Sequence, residues 1–259
     1  MPRALTLLLA LAAPVVAAAQ GKLDAVRDAV EKPRSDSRPS DDSRSGDAPD
    51  PDENPIAAIL GGGLGNSANS PVRFSEYPYA RPDHLYLLPE GPGEDMVGRA
   101  SVETGSNFDG LDRVGLRLFL DSDTKLGLKS DWDYYSERLA GGHRDSLWFG
   151  DATVTYRLLD AVDVTEMQIH VGAGVRWMFD RGDTSAGVNV YSGFDLFPER
   201  PVHVFGSFEV GTLGSAGVYR VHGGAGWHWS RAELFAGYDY FSIGGVKLQG
   251  PFAGLRVWF

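Results

Sequence analysis

The sequence predicts an all-β fold: a closed antiparallel up-and-down barrel of about ten strands behind a disordered N-terminal arm. Three observations carry that expectation. Ten runs alternate apolar with polar residues, short turn-forming stretches separate them, and the 259 residues include 33 glycines, nearly twice the usual ~7%. Lys+Arg 24 against Asp+Glu 35 gives a net charge of −11. That argues against nucleic acid as a partner, because phosphates need a basic footprint. The chain has no cysteine, which excludes disulfide scaffolds, thiolate metal sites, cysteine nucleophiles and lipid attachment at an N-terminal Cys.

Residues 1–19 read as a secretory signal peptide. Arg3 supplies the positive start, Leu5 to Ala13 the apolar core, and Ala17-Ala18-Ala19 a small-residue cleavage site before Gln20. Residues 20–70 read as an acidic linker rich in Pro, Ser and Gly. Within it, Lys22 to Glu31 offers a short helix with Leu23, Val26 and Val30 on one side. The stretch that follows has almost nothing to bury, cannot recover its ordering entropy, and is expected to be an extended spacer. Nothing in its composition identifies a soluble partner. Gly61-Gly62-Gly63-Leu64-Gly65 lacks the Lys-Ser/Thr ending of a phosphate loop and reads as a joint. Residues 71–95 mix Tyr77, Tyr79, Leu85, Tyr86, Leu87 and Leu88 with five prolines, which excludes central strands. This irregular pre-barrel segment is expected to lie across one end of the domain, anchored by its aromatics.

From Met96 onward the period is two. Val114, Leu116, Leu118 and Leu120 alternate with Arg113, Gly115, Arg117 and Phe119. Met167, Ile169, Val171, Ala173, Val175 and Trp177 alternate with Gln168, His170, Gly172, Gly174 and Arg176. Alternation of this kind separates two sheet faces. The ten runs are 97–105, 111–121, 124–135, 146–158, 165–179, 186–197, 201–211, 217–229, 231–241 and 246–259. Turns such as Asp121-Ser122-Asp123 and Pro198-Glu199-Arg200 make neighbours antiparallel. The last run is expected to change parity at a bulge near Gly250-Pro251. Closure into a barrel removes the exposed edges of such a sheet.

Each run reaches the ~9–11 residues of a tilted strand that crosses a bilayer. A soluble barrel, for instance a periplasmic ligand binder, points its apolar face inward; a membrane barrel points it outward to lipid and keeps a polar interior. The polar face carries Arg99, Arg113, Arg117, Lys129, Arg157, Arg176, Arg220 and Arg256. It also carries Glu103, Asp131, Asp133, Asp151, Asp195, Glu209, Glu233 and Asp239. Glycines such as Gly115, Gly193, Gly226 and Gly254 recur among them, and a crowded interior benefits from that room. Trp132, Tyr134, Trp148, Tyr156, Trp177, Tyr219, Trp229, Tyr238 and Tyr240 fall toward run ends, as interfacial girdles do. The balance favours a transmembrane barrel over residues 96–259.

Here the chain resembles the small bacterial outer-membrane β-barrels, on the alternating runs and on the ending Leu255-Arg256-Val257-Trp258-Phe259. The resemblance implies outer-membrane lipid as surroundings and recognition of Phe259, in the last strand, by the barrel assembly machinery. It also implies both barrel termini and the N-terminal arm in the periplasm. The connection Ser136 to Asp145, the longest, then lies outside.

The charges on the polar face suit interior ion pairs only when every member has partners. The expected network comprises Arg113, Arg117, Lys129, Asp131, Asp151, Arg157, Arg176, Asp195, Glu209, Arg220, Asp239 and Arg256. Ten strands make a largely filled interior, with room at most for a narrow solute path. His170, His203, His222 and His228 share the inward parity, while His84 and His143 fall in loops. These histidines read as satisfied interior groups, so neither a metal nor a cofactor is expected. An outer-rim hydrolase, a protease or lipid-modifying enzyme, has one candidate set in His143, Asp145 and Ser146. Sequence alone does not bring them together, and the expectation is a non-enzymatic structural or interaction barrel. Arg181-Gly182-Asp183 is explained by a turn.

Overall fold

In the computed structural model the alternating runs become a barrel. It describes residues 21–31, 73–81, 85–88, 92–139, 142–161, 166–180 and 183–259. The expected signal peptide, most of the linker with its glycine joint, His84, Arg181 and Gly182 lie outside the described residues. One helix, α1 (Lys22–Glu31), and a two-residue ladder of β1 (Arg73–Phe74) with β2 (Leu87–Leu88) precede the barrel. Ten strands then follow: β3 (Met96–Ser106), β4 (Leu111–Ser122), β5 (Leu126–Arg138), β6 (Arg144–Ala161), β7 (Glu166–Asp180), β8 (Asp183–Glu199), β9 (Val202–Leu213), β10 (Ala216–Trp229), β11 (Ala232–Ile243) and β12 (Val246–Trp258). Each pairs antiparallel with its neighbour, and β12 pairs with β3 to close the barrel.

The observed strands match the predicted runs to within a few residues, with three differences. First, β12 shows no change of parity. Its register with β11 runs unbroken from Ile243↔Val246 to Ala232↔Val257. Pro251 stands just outside the β12–β3 ladder, which begins at Phe252↔Gly105, where a residue lacking an N–H is tolerated. The irregularities lie instead between Arg157 and Leu159 and between Leu196 and Glu199. Second, half of the long connection expected over Ser136–Asp145 is strand, because Ser136↔Ser146, Glu137↔Asp145 and Arg138↔Arg144 continue the ladder. Third, Asp121 is a strand residue paired with Gly127 and buried inside, rather than the start of a turn.

The period-two pattern sorts inside from outside. Arg157, Arg176, Glu209 and Glu233 are at most 2% exposed, whereas Val154, Val188, Leu234 and Leu255 are each more than 60% exposed. Glycine supplies room at particular places. A Cβ at Gly115 would lie 2.9 Å from Asp133 and from Glu103, and one at Gly226 would collide with the Glu233 carboxylate. The β11–β12 hairpin turns on Gly244 and Gly245, with φ of 57° and 89°, the left-handed pair that a two-residue turn requires.

The two pre-barrel pieces close opposite ends. α1 lies in the mouth formed by the β5–β6, β7–β8, β9–β10 and β11–β12 hairpins. Leu23, Val26 and Val30 pack on inward-facing Leu111, Leu147, Phe149, Met178, Leu213, Phe241 and Ile243. At the other end, beside the start of β3 and the end of β12, Phe74, Tyr86 and Leu87 pack on Val97, Phe197 and Trp258. Tyr77, Tyr79 and Leu85 lie against that cluster. α1 and the described part of residues 73–88, expected on one side, therefore sit at opposite ends. α1 forms because Leu23, Val26 and Val30 share one helical face; at ten residues it needs tertiary packing to persist.

Candidate functional site

The interior is filled by charge pairs in two groups. In the half toward α1, Arg113 reaches Glu103, Asp133 and Asp239 at 2.8, 3.3 and 3.0 Å. Arg117 reaches Glu103, Asp131 and Asp133 at 2.6, 2.5 and 3.2 Å. Arg220 pairs with Asp133 at 2.6 Å and Asp239 at 2.8 Å. His222 meets Asp239 at 3.1 Å. Arg176 pairs with Glu209, and Lys129 sits among Asp131, Asp151 and Glu209 at 2.8, 2.9 and 2.8 Å. The second group lies toward the start of β3 and the end of β12. Arg99 pairs with Asp195 at 2.6 Å, and Asp121 takes Arg157 at 2.6 Å and His170 at 3.0 Å. His203 bridges Asp195 and Glu233, both at 3.0 Å. Glu233 also accepts from Arg256 at 2.9 Å and from the Trp258 indole at 3.0 Å.

All twelve residues expected in the network lie inside the barrel and take part. Arg99, Glu103, Asp133 and Glu233, placed on the polar face but outside that set, also take part, and Asp121 is a member that sequence reasoning did not place on that face. It continues the inward parity of Arg117 and Phe119, and assigning it to a turn concealed that. Buried charges are tolerated only with such multiple partners. Arginine rings the network because its planar fork serves several carboxylates at once. Aromatic faces complete the packing, with the Arg256 guanidinium 4.5 Å from the Phe205 ring and 4.6 Å from Phe235. A void of about 60 Å³ beside Tyr191, Lys129, Asp131 and Arg117 has space for a few water molecules.

Both ends carry specific polar fastenings. At the α1 mouth, Glu137 accepts the Lys22 and Leu23 backbone N–H groups, each at 2.9 Å, satisfying donors that a helix start leaves free. The Arg27 guanidinium joins Asp145 and Asp180, both at 2.5 Å. Its hydrogen bond to Asp145 is the main reason its pKa rises above the ordinary arginine value, against the opposing effect of burial. The Ser215 N–H and hydroxyl both donate to the Val30 carbonyl, at 3.0 and 2.8 Å. At the other end, Glu166 accepts N–H groups from Leu85, Tyr86 and Leu87 at 3.0, 2.6 and 2.8 Å. Burial pushes the Tyr86 phenol above its ordinary range.

The rim residues considered for hydrolysis do not converge. Asp145 is buried and held by Arg27, whereas Ser146, the next residue along β6, points outward. Consecutive strand residues face opposite sides. His143 lies exposed in the turn before β6. Two clusters have metal-like composition. Lys129 already fills the space between Asp131, Asp151 and Glu209, so its ammonium does there what an ion would do. In the other, ligand atoms of His203, His228 and Glu233 lie within 4.8 Å of one another. However, Arg256 Nη1 stands 3.1 Å from His203 Nδ1 and 2.9 Å from Glu233, a cation where a second would have to enter.

No protein-family model matches the sequence, and no curated protein matches it.

Proposed function

We propose that the protein is an integral outer-membrane barrel of structural or interaction type, with a closed, non-conducting interior and no catalytic centre. The observation that carries the reading is the sidedness of the strands. Among the described residues, the outward positions of the ten strands are aliphatic, aromatic, small or uncharged polar. Charged side chains on that face appear only at the rims, at Asp112, Arg138, Arg144 and Lys247 near the α1 end and at Glu199, paired with outward Val202, at the other. A soluble barrel that buried its charges and exposed Val, Leu, Phe and Trp would present a far larger apolar surface than monomers tolerate, while lipid accepts that surface and excludes the charges. Outward aromatic pairs support an interfacial position. Trp132 and Trp177 lie 5.2 Å apart, Tyr134 and Trp148 4.8 Å, and Tyr219 and Tyr240 5.3 Å.

The ion pairs, α1 and the Phe74–Leu87 cap together favour a closed interior over a solute path. The backbone of Phe259 exchanges hydrogen bonds with Gly98, at 2.6 and 2.9 Å. The terminal residue thus belongs to the closing seam, where recognition by assembly machinery would act. The test is electrophoresis of fractionated membranes with and without boiling. The reading requires a band in the outer-membrane fraction that migrates faster unboiled. A soluble protein without a heat shift refutes it. In planar bilayers the purified full chain should give no conductance steps; regular steps would replace the closed barrel by a narrow channel.

A further inference from the structure

Arg138 and Arg144 are register partners, the last pair before the β5–β6 turn, and both are exposed on the outer face. Among the described residues no other outward register pair joins two charges. Like charges placed directly opposite destabilise a ladder. Inside the barrel the same arrangement, Asp131 opposite Asp151, is relieved by Lys129 at 2.8 and 2.9 Å. Outside, neither arginine makes an ion pair among the described residues. Asp112, the outward carboxylate of the adjoining strand, stands opposite Ser136 instead. We propose that the two guanidinium groups hold the phosphate of an anionic lipid, whose chains run down the wall below them; this rests on the membrane reading above.

Below the arginines, the outward pairs of β5 and β6 change in the order that such a lipid does. Ser136 faces Ser146, Tyr134 faces Trp148, Trp132 faces Gly150, and further down Leu128 faces Val154. Charge gives way to hydroxyl, then to aromatic, then to aliphatic. The Tyr134 and Trp148 rings lie 4.8 Å apart, and those of Trp132 and Trp177 5.2 Å apart. Such rings settle at the membrane–water interface. From Trp148 to Arg144 is ~13 Å of strand, or about 10 Å along the membrane normal at a tilt of ~40°. The headgroup layer on each side is roughly 5–8 Å deep, and an arginine on its long stem can lean back into it. A phosphate offers a planar guanidinium two oxygens at once. One phosphate between the two side chains therefore cancels their repulsion as Lys129 does for the carboxylates inside.

The test uses the full chain in phosphatidylcholine vesicles that contain a minor fraction of phosphatidylglycerol. Bromine is placed on the chains of one lipid at a time, and quenching of tryptophan fluorescence is compared at equal bromolipid fraction. Each arginine at an anionic site contributes about fivefold in binding, so the pair should prefer phosphatidylglycerol by ~30-fold. The Arg138→Gln, Arg144→Gln double variant should lose that preference while keeping its fast-migrating unboiled band, which reports the fold. Trp148→Phe should lose the extra quenching, and Lys247→Gln, elsewhere on the same rim, should keep it. An unchanged preference in the double variant overturns the site, and so does an equal loss in Lys247→Gln, which assigns the effect to the general charge of the rim. Excess inorganic phosphate should leave the preference intact; its abolition makes the pair a site for free phosphate and overturns the lipid assignment. If brominated phosphatidylcholine quenches no tryptophan at all, the wall is not in lipid, and the membrane reading falls as well.

Discussion

Replacing Val154 with arginine puts a guanidinium in the middle of the outward apolar band. Val154 is 61% exposed, its register partners are Leu128 and Ala173, and the nearest outward charge on its own strand is Arg144, ten residues away. At strand rise that is about 33 Å, so no carboxylate on the outer face of β6 can pair with the new group. In a bilayer an arginine near the midplane costs ~2–4 kcal/mol. On a water-facing wall the same substitution changes stability by about 0.5 kcal/mol or less. With a urea dependence of ~1.5 kcal/mol per molar, the two cases predict midpoint losses of roughly 1–3 M and at most about 0.3 M. The assay is urea unfolding of the protein in lipid vesicles, followed by tryptophan fluorescence. Ser136→Arg, near the α1 rim, is the matched control with an expected cost of ~0–1 kcal/mol. A Val154→Arg midpoint indistinguishable from that of Ser136→Arg would refute the argument from sidedness.

Other expectations follow from the interior and the caps. Glu233→Gln leaves Arg256 without its carboxylate and should destabilise by ~3–5 kcal/mol, while adding Arg256→Met should recover part of that loss. A double-mutant cycle in urea with no coupling would count against the pair. Gly115→Val drives a side chain into Asp133 and Glu103 and should cost ~1–3 kcal/mol, read as a lower temperature for loss of the fast-migrating gel band. Arg27→Ala should speed amide exchange across residues 22–31 and leave exchange in β10 and β11 unchanged; equal acceleration everywhere would show that α1 is not a separable unit. Deleting Phe259 should reduce folded barrel in cells more than it reduces refolding of the pure chain in detergent. An equal loss in both would assign the residue to stability alone.

Much of this architecture was legible in the chain because a barrel wall is a period-two object from end to end. Once Arg113, Arg117 and Lys129 were placed on the face opposite Leu116 and Leu128, the inward set followed by counting. The faults arose where counting stops being the controlling physics. Gly250-Pro251 looked like a break because both residues disfavour strands, yet the ladder with β11 continues through them. Asp121 looked like a turn residue because Ser122 and Asp123 follow it. The docking of α1 had no local signature at all. Its face of Leu23, Val26 and Val30 was readable, but Glu137, Asp145 and Asp180 stand more than a hundred residues away. Asp145 drew attention as a reactive group in a loop; its role here is to hold Arg27.

The sidedness of the wall also acts as a check on strand pairing. A slip of one residue moves every side chain of a strand to the opposite face. In a sheet with water on one side, such an error exchanges some apolar burial for exposure. Here a slip of β4 would turn Arg113 and Arg117 onto the apolar outer face and strip Glu103, Asp131 and Asp133 of cations, while pressing Val114 and Leu116 against carboxylates. Each mispaired state then carries several uncompensated charges, far above the cost of one imperfect contact. The ion pairs add little to stability beyond what apolar packing would give, but they make the correct register stand well apart from its neighbours.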